Sequence, residues 1–241
     1  KKTPATVETL SLTDFPTSSQ VKASPGECDL RVRVEYSNLN YKDALVVTGT
    51  YPGLKPPMVG GIDLVGSVLE SKSGKFKFGD SVLVNGFGMG TDHYGGYAEE
   101  ASIRSDWAIS LPQGITALDA AKIGTAGYTA MLCVEGLVRN CVEPGHGPIL
   151  VTGATGGVGS IAIVILKELG YEVVALSGKT ESDWLSDLGA SKVVARSELE
   201  GEPRPLNKEL YAGCVDTVGG VVLANALSMI KYGGTVSACG L

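Results

Sequence analysis

The segment Ile149-Leu150-Val151-Thr152-Gly153-Ala154-Thr155-Gly156-Gly157-Val158-Gly159 constrains the fold more than any other stretch of the chain. An apolar strand runs into a turn of small residues. Beyond it, Val158, Ile161, Ala162, Ile165, Leu166 and Leu169 fall on one helical stripe. Such a strand–turn–helix can bend its backbone close to a phosphate and present the N–H groups and partial positive charge of a helix N-terminus to it. Aligned on Gly159, the G-x-G-x-x-G fingerprint reads Ala154-x-Gly156-x-x-Gly159, so alanine takes the first glycine's place and keeps a small residue there. The expected phosphate contacts are Thr155, Gly156, Gly157, Val158 and Gly159; the alternative is a structural turn that binds nothing.

Beyond this turn and its helix, the chain alternates between strand-like and helix-like segments. Glu172–Ser177 reads as a strand, Glu181–Leu188 as a helix, Lys192–Ala195 as a strand, Cys214–Val218 as a strand, Val221–Ile230 as a helix and Gly234–Cys239 as a strand. Gly170 sits where a helix C-terminus is expected to turn. This alternation predicts a Rossmann-type, doubly wound parallel sheet in an α/β protein. Six-stranded sheets of this class have the order 3-2-1-4-5-6, whereas the sequence stops at Leu241, just past the fifth strand. The C-terminal part of the fold is therefore expected to be missing, and because the sequence starts at Lys1 without a methionine, so is the true N-terminus.

The first 115 residues or so are different in kind. Leu30–Tyr36 alternates apolar and polar residues, and Asp63–Glu70, Ser81–Val84 and Tyr97–Ile103 read as further short strands separated by turns such as Ser73-Gly74-Lys75. This predicts a β-rich barrel or partly open sandwich. Thr116–Val138 is helix-like, interrupted by Gly124 and Gly127. The expected domains are 1–116 and 117–241.

The end of the second Rossmann strand bears on the choice of dinucleotide. NAD sites usually place Asp or Glu there for the ribose diol. Here the strand runs Val174-Ala175-Leu176-Ser177-Gly178-Lys179-Thr180, with a hydroxyl and a cation and no acid at its tip. Ser177, Gly178 and Lys179 suit a 2′-phosphate, which a carboxylate would repel. Arg196, after the third strand, can add a second cation or stack on adenine. The expected cofactor is NADPH.

Several classes are excluded by composition. The net charge is −6, from 20 basic and 26 acidic residues, and no basic block tracks a nucleic-acid backbone. No apolar run is long enough to span a membrane, and the start lacks the apolar core of a signal peptide, so a cytoplasmic location is the expectation. The five cysteines have no C-x-x-C spacing and read as reduced thiols, three of them in apolar runs. His93 and His146 are the only histidines, and both sit in glycine-rich turns, so no metal site is expected.

Five further pieces stand in order along the chain: Ser37-Asn38-Leu39-Asn40-Tyr41-Lys42-Asp43, Tyr51-Pro52-Gly53, Val59-Gly60-Gly61-Ile62-Asp63-Leu64-Val65-Gly66, Gly124-Thr125-Ala126-Gly127-Tyr128-Thr129-Ala130 and Asp216-Thr217-Val218-Gly219-Gly220. In this order and spacing the chain resembles medium-chain dehydrogenases/reductases. Within them it looks most like the group that includes acryloyl-CoA reductases and bacterial quinone oxidoreductases. The resemblance implies a GroES-like catalytic domain joined to an NADPH-binding Rossmann domain, an active site in the cleft between them, and a homodimer. Zinc alcohol dehydrogenases of the same superfamily carry Cys near the position of Asn40 and Gly-His-Glu where Gly61-Ile62-Asp63 stands; this chain has neither the Cys nor the His.

The chemistry implied is hydride addition to an electron-poor alkene, which leaves an enolate to be stabilised and protonated. The resemblance places Tyr41 beside the nicotinamide. A phenol is protonated at neutral pH, so Tyr41 either donates a proton or hydrogen bond, or only packs on the ring. Asn40 offers an amide to substrate or cofactor. Thr129 and Tyr128 begin an apolar helix and either touch the cofactor or belong to the core. The resemblance puts backbone near Leu241 close to the nicotinamide amide. Asp43 and Asp63 are read as holders of loops through backbone hydrogen bonds, with a role as acids the alternative, and Gly219-Gly220 as room beneath the cofactor or a plain helix start. The small-molecule substrate is an enoyl-CoA, for whose phosphates Lys42, Lys55 and Arg104 are candidate cations without a motif, or a quinone or enone. A third reading is an NADPH-binding protein without catalysis.

Overall fold

The computed structural model describes residues 28–55, 57–178 and 183–240. The chain forms two compact units, one ending at Thr125 and the next beginning at Ala126.

The first unit is built on β1 (Leu30–Tyr36), α1 (Tyr41–Val47), β2 (Asp63–Ser71), β3 (Ser81–Asn85), β4 (Glu100–Ile103) and β5 (Ile109–Ser110). The strands form one sheet in the order β4-β1-β2-β3-β5, with every pair antiparallel. The period-two pattern of β1 explains its placement: Leu30 and Val32 are buried while Arg31 and Arg33 are exposed or nearly so. They join Leu64, Val68, Val82, Val84, Met89 and Ile103 in a shared core. The structure departs from the sequence pattern in several places here, one being the two-residue strand β5, which the pattern does not show. The pattern shows no helix over 41–47. It also starts β4 at Tyr97, whereas the Tyr97 N–H leaves the ladder and donates to the Gly60 carbonyl at 3.0 Å.

The helical stretch α2 (Ala117–Arg139) is broken at Gly124, whose φ of 47° and ψ of −161° are not helical. A side chain there would also collide with the Asn38 amide and the Asp63 carboxylate. Its later turns belong to the second unit. That unit continues with β6 (Ile149–Val151), α3 (Gly157–Glu168), β7 (Val173–Ser177), α4 (Trp184–Leu188), β8 (Lys192–Ala195), a 3-10 turn (Arg196–Leu199), β9 (Tyr211–Asp216), α5 (Gly220–Ser228) and β10 (Ile230–Ala238).

The sheet order is β10-β9-β6-β7-β8, and every pair is parallel. Numbered within the unit this is 5-4-1-2-3, the doubly wound order that the alternation predicts. Helices must cover both faces of such a sheet, so its strands are apolar on both sides. Val151, Val173 and Ala175 pack into one core with Val134, Leu137, Ile163 and Leu166, while Leu150, Val174, Leu176 and Val194 pack into another with Val222 and Ala226.

Several element bounds differ from those the sequence predicts, among them the fifth strand of the unit, expected over Gly234–Cys239 and observed as Ile230–Ala238. The fourth strand of the unit, expected over Cys214–Val218, is Tyr211–Asp216, because Asp216 turns its carboxylate onto the Gly219 N–H (2.9 Å) and Gly219 adopts φ 75°. The helix expected to reach Ile230 ends at Ser228, since Ile230 pairs with Tyr211 in the ladder. The helix expected from Glu181 is observed from Trp184, with 181 and 182 outside the described residues. Among the described residues, no helix is long and apolar enough to cross a membrane.

Candidate functional site

In the second unit, the turn after β6 is held by small residues and backbone. Gly153 adopts φ 58°, and a Cβ on it would collide with Thr217 Oγ1. A Cβ on Gly159 would meet the Gly153 carbonyl at 2.5 Å and Ala154 Cα at 2.8 Å, so the start of α3 rests directly on the turn. Ala154 is fully buried beneath it. The left-handed residue is thus Gly153, one position before the Ala154 of the sequence alignment, which explains why alanine is tolerated there. Thr155, Gly156 and Gly157 are exposed and Val158 is half-buried. The N-cap of α3 is Gly156, without a side-chain cap, and no acid lies in the first turn. Its first N–H groups have no partner within the helix, so this cradle fits an anion such as a pyrophosphate.

The carboxyl edge of the sheet is tied together beside this turn. Thr152 Oγ1 donates to Asp216 Oδ1 at 2.6 Å and accepts from the Thr217 N–H at 3.0 Å. Thr217 Oγ1 donates back to the Thr152 carbonyl at 2.9 Å. Thr152 and Asp216 are fully buried. This clamp joins the ends of β6 and β9. Sequence reasoning reaches Asp216 and Thr217 only through a family resemblance and assigns them no role; a Thr and an Asp at the ends of two strands of one sheet are the signal that could have found the pair. Gly219 and Gly220 are the helix-start turn, both with positive φ.

At the second-strand tip, Ser177 is 3% exposed and pairs in register with Ala195, while Gly178 is exposed. Arg196 follows Ala195 directly and forms an ion pair with Glu200 at 2.8 Å, so its guanidinium is shared with a carboxylate. Lys179 and Leu241 lie outside the described residues. Thr129, on α2, is half-buried, and Tyr128 is 59% exposed, which removes it from the core.

In the first unit, Asn40 and Tyr41 begin α1. Asn40 is its N-cap, and the Asn40 N–H donates to Asp43 Oδ2 at 2.9 Å. Asp43 Oδ1 accepts from the Gly61 and Ile62 N–H groups, each at 3.0 Å. One buried carboxylate therefore fixes both the helix start and the loop before β2. The Asn40…Asp43 spacing is an N-terminal capping signal from which the missed helix was readable.

Asp63, also buried, takes four donors. Its Oδ1 accepts from Asn85 Nδ2 (3.0 Å) and Thr125 Oγ1, and its Oδ2 from Asn40 Nδ2 (3.0 Å) and the Thr125 N–H (2.9 Å). Asn40 Nδ2 also donates to Asn38 Oδ1 at 3.3 Å. The Asn40 amide donors, expected from the sequence to face a substrate or cofactor, are thus directed at Asp63 and Asn38. Tyr97 closes the knot by donating to the Asn38 carbonyl at 3.0 Å; burial, with the charge of Asp43, pushes its phenol well up. Tyr41 stands outside the knot, 76% exposed at the first position of α1.

Of the three candidate cations for CoA, Arg104 is held by both oxygens of Asp106, at 3.0 and 2.7 Å, while Lys42 and Lys55 are exposed. His93 tilts against Trp107 with ring centroids 4.8 Å apart. Among the described residues no group of three His, Cys, Asp or Glu side chains converges as metal ligands.

Comparison with known proteins matches residues 26–113 to the family described as "Alcohol dehydrogenase GroES-like domain" and residues 157–241 to the one described as "Zinc-binding dehydrogenase". The chain is 48% identical over 244 aligned positions to the acrylyl-CoA reductase AcuI of Ruegeria pomeroyi, covering all of this chain and 71% of that protein. It is similar to the Escherichia coli K-12 YhdH structure solved with bound NADPH, at 48% identity and a TM-score of 0.86, covering 98% of this chain and 70% of the other. A Bacillus subtilis protein named for quinone oxidoreduction, YhfP, is 43% identical over 213 residues, covering 87% of this chain and 64% of that protein. The YhfP structure solved with NAD bound superposes with a TM-score of 0.85 at 40% identity, covering 98% of this chain and 70% of the other.

Proposed function

The chain belongs to the medium-chain dehydrogenase/reductase family, and from that premise we propose that it is a zinc-independent, NADPH-dependent reductase of the carbon–carbon double bond of a 2-enoyl thioester such as acryloyl-CoA. The observation that carries this reading is the 48% identity to the Ruegeria acrylyl-CoA reductase across the whole of the chain. The NADPH-bound neighbour of equal identity supports the cofactor, as do the absence of an acid at the tip of β7 and the uncapped, acid-free start of α3. Bound NADPH would supply a hydride to the β-carbon.

In this reading the N–H groups from Thr155 to Gly159 hold the pyrophosphate, and Ser177, Gly178, Lys179 and Arg196 hold the ribose phosphate. Thr129 and the backbone at Leu241 hold the nicotinamide end. A thioester carbonyl drains charge from the β-carbon and gathers it on oxygen as the alkene is reduced. Tyr41 meets that charge with its hydroxyl, as a hydrogen-bond or proton donor. Asn40 acts as a positioning residue, since its donors hold Asp63 and Asn38 and so fix the start of the helix that carries Tyr41. A homodimer working in the cytoplasm completes the proposal.

The second reading, a quinone or enone reductase using the same residues, draws on the likeness to YhfP, whose NAD-bound structure also argues for the other dinucleotide. The test is consumption of NADPH and NADH with acryloyl-CoA and with a simple quinone. Fast turnover of NADPH with acryloyl-CoA is expected. Turnover with the quinone alone transfers the proposal to the second reading, and binding of NADPH without turnover of either substrate leaves a non-catalytic dinucleotide-binding protein.

A further inference from the structure

Two cysteines that the proposed reaction does not use meet in the second unit. Cys133 lies on α2 and is 7% exposed. Cys239 follows β10 directly, is half-buried, and packs against the apolar cluster to which Cys133 belongs. The two segments are pinned together nearby: Ser237 Oγ donates to the Cys133 carbonyl at 2.8 Å, and the same hydroxyl lies 2.9 Å from where a Cβ on Gly136 would stand. Ser237 and Cys239 are two residues apart in extended chain and so face the same way, toward α2.

The two thiols act on one another: the neighbouring Cys133 draws Cys239 down to about 7, and Cys133 itself is pushed up. Burial and the Asp216 carboxylate oppose the change at Cys239. When protonated, Cys239 donates to the Asp216 carbonyl at 3.4 Å. The third thiol of the region, Cys214 on β9, is fully buried, and burial holds it well up and unreactive.

Cys239 is also placed to affect the phosphate turn. The Cys239 and Gly240 N–H groups both donate to the Asp216 carbonyl, at 2.8 and 3.1 Å. A Cβ on Gly240 would collide with the Val218 nitrogen, so this segment lies flat on residues 217–219. Thr217 in turn clamps Thr152 and abuts Gly153. Drawing the two sulfurs into a covalent bond pulls on residue 239, and the displacement passes through Thr217 to the glycine turn.

We propose that Cys133 and Cys239 form a redox-reactive dithiol that a hydroperoxide closes to a disulfide, and that closure weakens dinucleotide binding. The Cys239 thiolate attacks one peroxide oxygen; the O–O bond breaks, and the departing hydroxide takes up a proton to become water. The product is a sulfenic acid at Cys239. Cys133, losing its proton, attacks that sulfur; the S–S bond forms, the S–O bond breaks, and a second water leaves. Two thiols give up two electrons and two protons, and hydrogen peroxide is reduced to two waters.

The effect on binding rests on the reading of the glycine turn as a dinucleotide site, and the experiment separates the two. The whole chain is treated with hydrogen peroxide at pH 8, mapped by mass spectrometry without reduction, and titrated with NADPH before and after. The expected result is a peptide linking Cys133 to Cys239, a dissociation constant for NADPH raised about tenfold, and recovery on adding dithiothreitol. Cys133→Ser should lose the link and keep its NADPH affinity through peroxide treatment, while Cys214→Ser should still form the link. Unmodified thiols after treatment, or a link that runs through Cys28 or Cys141, overturn the dithiol. A Cys133–Cys239 link with unchanged affinity overturns the coupling. A reduced protein that fails to bind NADPH overturns the dinucleotide reading instead.

Discussion

The loops of the first unit and the turn of the second fix their backbones by opposite means. Around Asp63 the backbone is held by side chains: two carboxylates, two Asn amides and the Thr125 hydroxyl together secure residues 40, 61, 62 and 125. Around Gly153 the backbone is held largely by having no side chains, with Gly159 resting on Gly153 and Ala154 at distances that exclude a Cβ. The first arrangement is a set of individually replaceable hydrogen bonds, each worth about 1 kcal/mol when intact and more when one partner is left buried alone. The second is a packing constraint that admits no intermediate.

The sharpest way to break the comparison is to put bulk in the turn. Gly159→Val should destabilise the second unit by about 3 kcal/mol, the upper end for overpacking, and abolish NADPH binding, as thermal unfolding and fluorescence titration will show. Near-normal binding would mean that the turn is softer than its contacts indicate. Next in size is a change that spares both frameworks. Tyr41→Phe should lower turnover with the enoyl thioester by about a hundredfold, in the range for a lost proton donor, with unaltered melting. Unchanged turnover would leave Tyr41 a packing residue.

A smaller effect tests the side-chain knot. Asp63→Asn replaces an acceptor with a donor among four donors and should cost about 2 kcal/mol. Hydrogen exchange should quicken at the Thr125 amide and leave the amides of β6, β7 and β9 protected. The smallest effect concerns Asp29, whose carboxylate is lowered below its ordinary value by hydrogen bonds from the Ser105 hydroxyl and N–H. A lowered folded-state value contributes stability above the unfolded one, lost as the pH falls from about 4 through the folded value. Ser105→Ala should lower stability at neutral and alkaline pH and shrink the acid-side loss in denaturant titrations between about pH 5 and pH 2, so that the variant and the parent converge at acid pH.

The same contrast explains what is legible in the sequence. The order of strands and helices from Ile149 onward comes from apolar runs that must be buried on both faces and from glycines that must turn, both of which leave a periodic mark. Even there the fingerprint is displaced by one residue, because its alignment falls on Ala154 while Gly153 carries the left-handed conformation. In the first unit the strands of alternating pattern are readable. The seven-residue helix at Tyr41 is too short to show a stripe; its one local mark is the Asn40…Asp43 capping spacing, and it is fixed further by Asp43 reaching to residues 61 and 62. The reading of Asp43 and Asp63 as loop holders agrees with their hydrogen bonds, whereas the engagement of Asn40 with Asp63, 23 positions away, leaves no local signature. The meeting of Cys133 with Cys239 is invisible in sequence for the same reason.

The central claim is that hydride passes from NADPH to the carbon of a conjugated alkene. Its most direct test uses NADPH carrying deuterium at both C4 positions, acryloyl-CoA as substrate, and mass spectrometry of the thioester product. The account predicts one deuterium at the β-carbon for each NADPH consumed, and none at the α-carbon, which takes its proton from the protein or solvent. NADPH consumed with no label in the thioester, or label delivered only when a quinone is present and then lost to water, would contradict it.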